Sequence, residues 1–223
     1  MDDSSHLADI LEPNKALISR NVILTPFLPP KVFTPYAKFD KSFLGNGASA
    51  CFADNLSVIC SGVSAQKVYD ALSLLQGTKC RNVLFIGSCG GLGGAKIGDI
   101  LIAEQKQSFN VEGLGVSFAK YLRDSGIAFS AARVYSVESI KDETQALIDN
   151  LEKGGFGGID LETSVFQRTA LSNGFNAGAA LYITDKPRVR PFTARFTPEE
   201  RGAIVSARDT VVRSAVKFVE GLG

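Results

Sequence analysis

Two periodicities of apolar residues run along this chain. Short, nearly continuous apolar runs predict strands, and they cover residues 21–28, 56–60, 83–86, 97–103, 128–135, 156–161 and 177–183. Apolar residues that recur at helical spacing predict helices, at residues 65–76, 116–125, 141–151, 162–172 and 197–219. Strands that alternate with helices of this length predict a layered α/β fold.

The pattern shows no linker or repeat that would divide the chain. Residues 1–15 are acidic and precede the first predicted strand, so we predict an N-terminal tail over residues 1–20. Residues 21–223 are then expected to form one domain, which at this length can bury a substantial core.

The most unusual stretch is the glycine cluster that follows the predicted strand 83–86. It contains five glycines in eight residues, and a second apolar run begins at Ile97. We predict a loop over residues 87–94, in which bare backbone lets a ligand approach main-chain N–H groups. A turn without ligand is the alternative. Ser88 and Cys89 favour a loop that binds an oxyanion or a sugar.

The cluster does not match either common nucleotide motif. A dinucleotide fingerprint that uses Gly91 and Gly93 would need glycine at position 96, where the chain has Lys96. The Gly-Lys-Ser/Thr of a phosphate-binding P-loop is also absent. We therefore expect no nucleotide cofactor.

Composition and charge exclude several classes of partner. Hydrophobic residues make up 45% and charged residues 21% of the chain, as in soluble globular proteins. A net charge of +1 predicts binding neither to nucleic acid nor to an anionic membrane surface. No apolar run approaches the roughly 20 residues of a membrane span. Without a basic and apolar N-terminal segment, we expect a cytoplasmic protein.

The inventory of reactive side chains is narrow. His6 is the only histidine, which excludes Ser–His and Cys–His nucleophile pairs and most zinc sites. The four cysteines are expected to be free thiols, since they contain no CxxC pair. Chemistry must therefore use carboxylates, lysines, arginines or hydroxyls, and we expect no metal and no cofactor.

Polar groups follow three of the predicted strands, where α/β folds gather their sites. These groups are Gly87-Ser88, Asp160-Leu161-Glu162 and Thr184-Asp185. Taken singly, Glu162 is explained as a first-turn carboxylate that the helix dipole favours. Asp185 is explained as a loop residue before Lys-Pro.

Taken together, these segments resemble the nucleoside phosphorylase and nucleosidase superfamily. Its pattern has Gly-Ser/Thr-x-Gly-Gly, then Gly-Asp, Met-Glu and Ser-Asp, and residues 87–91, 98–99, 160–162 and 184–185 match it in order and spacing. The resemblance covers residues 57–219, and YITDKP looks most like the catalytic part of AMP nucleosidases. It implies a single-domain, three-layer α/β/α fold with a central mixed, twisted sheet.

The resemblance also implies roles for single residues. Asp185 would protonate the departing base, and Glu162 would hold the ribose hydroxyls, with Asp160 and Leu161 beside it. Ser88 and the neighbouring backbone would face phosphate or the attacking water. The residues that the resemblance places at the loop and around the substrate are Gly87, Cys89, Gly90 and Ile140. Among the six basic residues between Lys186 and Arg201, Arg195 is a further candidate. Ile140 would pack on the base where relatives place an aromatic ring, and Arg195 could reach a substrate phosphate or assist Asp185.

Two departures from the pattern bear on the reaction. Phe85 stands where hexameric phosphorylases place a phosphate-binding arginine, and residues 25–27 lack the glutamate that activates water in methylthioadenosine nucleosidases. We therefore expect a purine nucleosidase that uses water. A phosphorylase with phosphate as co-substrate, held by Lys31 or a neighbouring subunit's arginine, is the alternative. A member that binds a nucleoside without cleaving it is the second alternative.

The resemblance finally implies partners. The ligand would be a small-molecule nucleoside or nucleotide. Relatives assemble as dimers or hexamers, so we expect a homo-oligomer.

Overall fold

The computed structural model describes residues 5–45, 47–104, 113–187 and 189–222. Its strands are β1 (Asn21–Thr25), β2 (Lys41–Leu44), β3 (Ser49–Phe52), β4 (Ser57–Cys60), β5 (Asn82–Gly91), β6 (Ile100–Ala103), β7 (Ser130–Ser136), β8 (Phe156–Asp160) and β9 (Asn176–Asp185). Its α-helices are α1 (Ser5–Leu11), α2 (Ala65–Leu74), α3 (Leu114–Asp124), α4 (Gln145–Lys153), α5 (Thr163–Ser172) and α6 (Pro198–Glu220). Short 3-10 helices cover Glu12–Leu17, Pro30–Val32 and Ile140–Asp142.

The strands form one mixed sheet in the order β2-β3-β4-β1-β5-β8-β7-β6-β9. β1 lies between β4 and β5 and is parallel to both. β5 also pairs in parallel with β9, so that the five strands from β5 round to β9 close into a ring. β2 forms the open end of the sheet.

Helices cover both faces of the sheet. β1 shows the alternation: Val22 and Leu24 pack with α1, α2 and α5, whereas Ile23 packs with α3 and α6. Successive strand residues point to opposite faces, so β1, β3, β4, β5, β6 and β9 each contribute to two apolar cores. The expected three-layer α/β/α domain with a mixed sheet is confirmed.

The C-terminal helix begins where the sequence predicts. Thr197 Oγ1 accepts a hydrogen bond from the Glu200 backbone N–H at 3.2 Å, and Glu200 Oε2 accepts one from the Thr197 N–H at 2.7 Å. This reciprocal pair satisfies two N–H groups that the first helical turn leaves free, and Pro198 occupies the first helical position. No helix in the described part of the chain is long and apolar enough to cross a membrane.

The N-terminal segment differs from the expected tail. Residues 5–17 form α1 and a 3-10 helix, and Leu7, Ile10 and Leu11 are buried in the core shared with α2 and α5. The acidic composition concealed these apolar residues, which recur at helical spacing.

The predicted loop at the glycine cluster is also wrong in part. Residues 87–91 continue β5 without a break, and only residues 92–94 lie outside the strand. The pairing with β9 on one side and β8 on the other accounts for this, because both partners extend as far as Gly90. Tertiary pairing thus overrides the low strand propensity of glycine.

α3 crosses β9 at a point where neither backbone carries a side chain. A Cβ added to Gly178 would lie 2.6 Å from the Cα of Gly115. The approach is secured by Asn176, whose Oδ1 accepts a hydrogen bond from the Leu114 N–H at 2.9 Å. Glycine at position 178 is therefore a packing requirement.

We expect Gly178→Ala to destabilise the protein, because backbone atoms of α3 would have to move. The free energy of unfolding should fall by about 1–3 kcal/mol, which lowers the Tm by about 2–4 °C for each kcal/mol in a chain of this size. Thermal unfolding followed by circular dichroism measures the shift.

Gly202→Ala is the matched control. Gly202 is exposed within α6, and a Cβ there meets no atom within 4 Å. Alanine is favoured over glycine by about 0.5–1 kcal/mol inside a helix, so this Tm should rise slightly. Equal Tm changes in the two variants would contradict the packing role of Gly178.

Candidate active site

A cavity of about 220 Å³ lies where the ends of β5, β8 and β9 meet. Gly90 is the junction, since it pairs with Ile159 of β8 and with Asp185 of β9. The cavity brings together most of the residues that the sequence predicts: Ser88, Cys89, Gly90, Ile140, Asp160, Leu161, Glu162 and Asp185. Gly87 and Arg195 do not line it. Its lining also includes Phe27, Val63, Glu143, Ile159, Thr184 and Phe192.

A register shift in β9 places Asp185 at this cavity. Cys89 pairs with Ile183, but the next residue of β5, Gly90, pairs with Asp185, so Thr184 is the extra residue of a bulge. Bulges re-aim the side chains that follow them. The Thr184 hydroxyl donates to Asp185 Oδ1 at 3.0 Å, and the Phe192 N–H donates to Oδ2 at 3.1 Å. Burial nonetheless raises the pKa of Asp185 above its ordinary value.

Asp160, at the end of β8, is held by the protein itself. Its carboxylate accepts hydrogen bonds from the Ser136 hydroxyl at 2.5 Å, from the Thr163 N–H at 3.1 Å and from the Thr163 hydroxyl. Burial raises the pKa of Asp160, and these hydrogen bonds oppose the rise. Because its oxygens are already paired, Asp160 fixes the start of α5 beside the cavity and places a negative potential near Glu162.

Glu162 is buried at the N-terminus of α5, and its Oε1 has no hydrogen-bond partner among the described residues. Burial, and then the charge of Asp160, raise the pKa of Glu162 to about 7, although the backbone N–H groups of Leu161 and Ser64 hydrogen-bond to its carboxylate. Leaving a buried acceptor unpaired costs about 1–3 kcal/mol. Such a group is expected where a ligand supplies the missing donor.

Ser64, the N-cap of α2, carries a backbone strain next to Glu162. Its φ of 153° is the only positive φ at a non-glycine residue in the described part of the chain. Unusual backbone conformations persist where the surrounding structure holds them, and they cluster at ligand sites. At Ser64 this conformation accompanies the N–H that points to Glu162.

Glu143 is a pocket carboxylate that the sequence reasoning missed. It is half-buried, and burial followed by the charges of Asp185 and Asp160 raises its pKa to about 7. It comes directly after the 3-10 helix Ile140–Asp142, which begins with a capping box between Ser139 and Asp142. That Ser-x-x-Asp spacing in the sequence was the available signal, because it predicts a tight turn.

The rim of the cavity is apolar. Phe27, Val63, Ile140 and Phe192 line the cavity and are each exposed by between 38% and 50%. The ring of Phe27 packs edge-on against Tyr182, with centroids 6.4 Å apart. These side chains can cover the faces of a flat ring without forming hydrogen bonds. Sequence reasoning missed the three besides Ile140, because they come from separate loops without a periodic pattern.

The charged side chains that line the cavity, among the described residues, are all carboxylates: Glu143, Asp160, Glu162 and Asp185. Phe85, at the place of the phosphorylase arginine, is fully buried and stacks on Phe166 with ring centroids 4.9 Å apart. The described residues contain no cluster of His, Cys, Asp and Glu with the geometry of a metal site.

The arginines after Asp185 are engaged elsewhere. Arg190 forms a two-pronged ion pair with Glu200 of α6, at 3.0 Å from Nε and 2.8 Å from Nη2, and Nη2 also donates to the Arg195 carbonyl. These contacts fasten the segment that delivers the Phe192 N–H to Asp185. The expectation that Arg195 reaches the substrate finds no place in the cavity lining. Arg188 lies outside the described residues.

Gly87, Gly90 and Gly91 of the cluster pack against the protein, whereas a Cβ on Gly93 or Gly94 would meet no atom within 4 Å. A Cβ on Gly90 would lie 2.6 Å from Cγ of Pro187, and a Cβ on Gly91 would lie 2.8 Å from Cγ2 of Ile183. A Cβ on Gly87 would meet Phe85 and Leu181. For Gly87, Gly90 and Gly91, the interpretation that a missing side chain makes room for a ligand is therefore wrong, because protein side chains fill that space. Cys89 lies within the same cluster. Burial, and then the charges of Asp160 and Asp185, raise the pKa of Cys89 well above its ordinary value, so Cys89 is not a thiolate nucleophile.

Comparison with protein-family models and with curated protein sequences gave no significant match. Solved structures do match. Uridine phosphorylase from Vibrio fischeri ES114 superposes with a TM-score of 0.74 at 17% identity, over 92% of this chain and 93% of that one. Purine nucleoside phosphorylase from Toxoplasma gondii, in complex with immucillin-H, gives 0.74 at 14% identity, over 93% of each chain. AMP nucleosidase from Bacteroides thetaiotaomicron VPI-5482 gives 0.65 at 18% identity, over 87% of this chain and 89% of that one.

This chain has the nucleoside phosphorylase fold. The fold-level resemblance expected from residues 87–91, 160–162 and 184–185 is thereby confirmed. Phosphorylases and a nucleosidase share the fold, so the fold leaves the reaction open. The residues in the cavity are the basis for choosing between phosphorolysis and hydrolysis.

We expect Glu162→Gln to raise the stability of the protein at neutral and higher pH. The pKa of Glu162 is about 7 in the folded protein against an ordinary 4.5. Between these values the unfolded chain releases a proton that the folded chain keeps, so Glu162 lowers stability progressively as pH rises through this window. The Tm of Glu162→Gln should exceed the wild-type Tm at pH 8, and the difference should shrink at pH 5.

Glu220→Gln, at an exposed position of α6, is the control and should show no such pH-dependent difference. If the Tm difference between Glu162→Gln and the wild type is the same at pH 8 and at pH 5, ionisation of the buried Glu162 carboxylate has no cost in stability.

Proposed function

We propose that this protein hydrolyses the N-glycosidic bond of a purine nucleoside. The observation that carries the proposal is the cavity itself, where the buried Glu162 has an unpaired oxygen and every lining charge among the described residues is a carboxylate. Structural neighbours include phosphorylases and a nucleosidase, which supports cleavage of nucleosides as the class of reaction.

Asp185 acts as the general acid. Burial raises its pKa and so favours the protonated form, and the two hydrogen bonds that it accepts fix its orientation. The C–N bond breaks with its electron pair moving to the base, and protonation of the purine by Asp185 neutralises that charge. A positioned acid of this kind contributes about 10²–10⁴-fold to the rate.

Glu162 binds the sugar. A ribose hydroxyl donates to the unpaired Oε1, which supplies the partner that the protein lacks. Positive charge grows on the ribose ring as the glycosidic bond breaks. The interaction with a carboxylate strengthens at that stage, and so it lowers the barrier instead of only tightening binding.

The cavity favours water over phosphate as the group that attacks the ribose. The acidic lining offers a phosphate dianion no cation among the described residues, and the residue at the phosphorylase arginine position is the buried Phe85. A neutral water molecule needs no counter-charge: its oxygen forms the new bond to the anomeric carbon, and the proton that it releases returns through solvent to the Asp185 carboxylate. Ser88, whose side chain is partly exposed at the cavity, is the hydroxyl that orients this water.

We expect Asp185→Asn to lower kcat by at least about 100-fold, because an amide cannot transfer the proton. The assay incubates adenosine, inosine, methylthioadenosine, AMP and uridine with the protein and follows release of the free base. Asp54→Asn, at an exposed position, is the control and should keep full activity. Near-normal turnover by a folded Asp185→Asn variant would remove Asp185 from the mechanism.

The same assay separates the alternatives when it is run with and without phosphate. Release of base in the absence of phosphate supports hydrolysis. Release that requires phosphate and yields ribose 1-phosphate would establish a phosphorylase. Binding of a nucleoside with no release of base would establish a nucleoside-binding protein.

A further inference from the structure

Glu143 lines the cavity but has no task in the proposed reaction. We propose that Glu143 selects the base, by accepting a hydrogen bond from an amino group on the purine, so that 6-aminopurine nucleosides are preferred over 6-oxopurine nucleosides. This inference rests on the proposed function and assigns a substrate class to the same site.

Glu143 shares the cavity with Asp185, and the two groups influence each other's ionisation. Asp185 is the charge that affects Glu143 most, ahead of Asp160. The charge that affects Glu162 is Asp160. Glu143 therefore lies in the same cavity as Asp185, the group that meets the base, and within its electrostatic influence.

The local chain also places Glu143 on the side of the base. Its N–H donates to the Ile140 carbonyl at 3.2 Å across the 3-10 turn. Ile140 is 45% exposed and lines the cavity, where it can pack on a flat ring. An apolar contact and a carboxylate thus come from a single turn of the chain.

The Glu143 carboxylate is available to a ligand. No described residue forms a hydrogen bond or an ion pair with it, although it is half-buried and its pKa is raised by burial. An ionised carboxylate only accepts hydrogen bonds, whereas a protonated one can donate. Two neighbouring carboxyl groups disfavour double ionisation, so Asp185 and Glu143 share one proton, and with that proton on Asp185 the pair presents one donor and one acceptor.

One donor beside one acceptor matches the corresponding edge of a 6-aminopurine. Adenine carries an acceptor at N7 and a donor at its N6 amino group, whereas guanine carries acceptors at both N7 and O6. Asp185 donates to N7, and Glu143 accepts from the amino group. A 6-oxo group would place its oxygen against the Glu143 carboxylate, with no proton between them.

The expected discrimination is moderate. A hydrogen bond to a charged group contributes about 1.5–3 kcal/mol, and a fully buried site that loses its partner discriminates by about 10⁴-fold or more. Since Glu143 is half-exposed, we expect a preference for adenosine over inosine of about 10- to 100-fold in kcat/KM.

The test measures kcat/KM for adenosine and inosine with the wild-type protein, with Glu143→Gln and with Glu138→Gln. Glutamine can accept from an amino group or donate to an oxo group, so Glu143→Gln should bring the adenosine-to-inosine ratio close to one. Glu138 is exposed five residues earlier and does not line the cavity, so Glu138→Gln should keep the wild-type ratio. An unchanged ratio in Glu143→Gln would overturn the inference.

Binding of the free bases gives a readout that does not need turnover. Calorimetric titration with adenine and with hypoxanthine should show tighter binding of adenine to the wild-type protein and a reduced difference in Glu143→Gln. If no nucleoside is cleaved but this pattern appears, the proposed hydrolysis fails and the role of Glu143 stands. If nucleosides are cleaved and Glu143→Gln binds both bases as the wild type does, the hydrolysis stands and the role of Glu143 fails. Absence of binding of either base would also overturn it, and an unchanged Tm shows that the variant is folded.

Discussion

The parallel pairing of β5 with β9 is the constraint on which the rest of the structure depends. It runs from Asn82 to Gly90, beside the apolar cores of both faces, and it closes the ring of five strands. The pairing slips by one residue at its end, and that slip determines where Asp185 lies. Because Gly90 also pairs with β8, the same few residues set the distance between the segment of Asp185 and the segment of Glu162. The site is thus built on paired strands, and its loops contribute mainly the apolar rim.

The cavity holds buried carboxyl groups whose ionised forms are unfavourable, and a ligand that donates hydrogen bonds can stabilise them. Four carboxyl groups share a small space, and burial is the first cause of the raised pKa of each. Two of them are largely paired with the protein, whereas Glu143 and one oxygen of Glu162 are left without partners among the described residues. Groups held in place before the ligand arrives need little reorganisation during the reaction. A sugar with hydroxyl donors and a base with an amino donor complement this arrangement.

Sequence reasoning recovered the residues whose position follows from a local rule. Asp185 and Glu162 stand where buried strands end, and that rule together with the spacing of the motifs was sufficient to bring them into one site. Glu143 was missed because it comes from a turn whose approach to Asp185 depends on packing between distant segments. Arg195 does not line the cavity, and the net positive charge of the loop does not reveal that Arg190 pairs with Glu200 and fixes the loop with Phe192, instead of Arg195, at the cavity. The layered fold followed from periodicity, but the closed ring required knowledge of which strands pair.

The closed ring has a consequence for how the molecule meets other chains. A sheet that returns on itself has no terminal strand in that half, so among the described strands β2 is the terminal one. β2 is four residues long, begins with the charged Lys41 and ends with Leu44, which is 80% exposed. Short, charged edge strands resist the strand-to-strand addition that leads to aggregates. Resistance to aggregation therefore depends on one brief segment, and a change that lengthened it or removed its charge would expose the whole sheet to polymerisation.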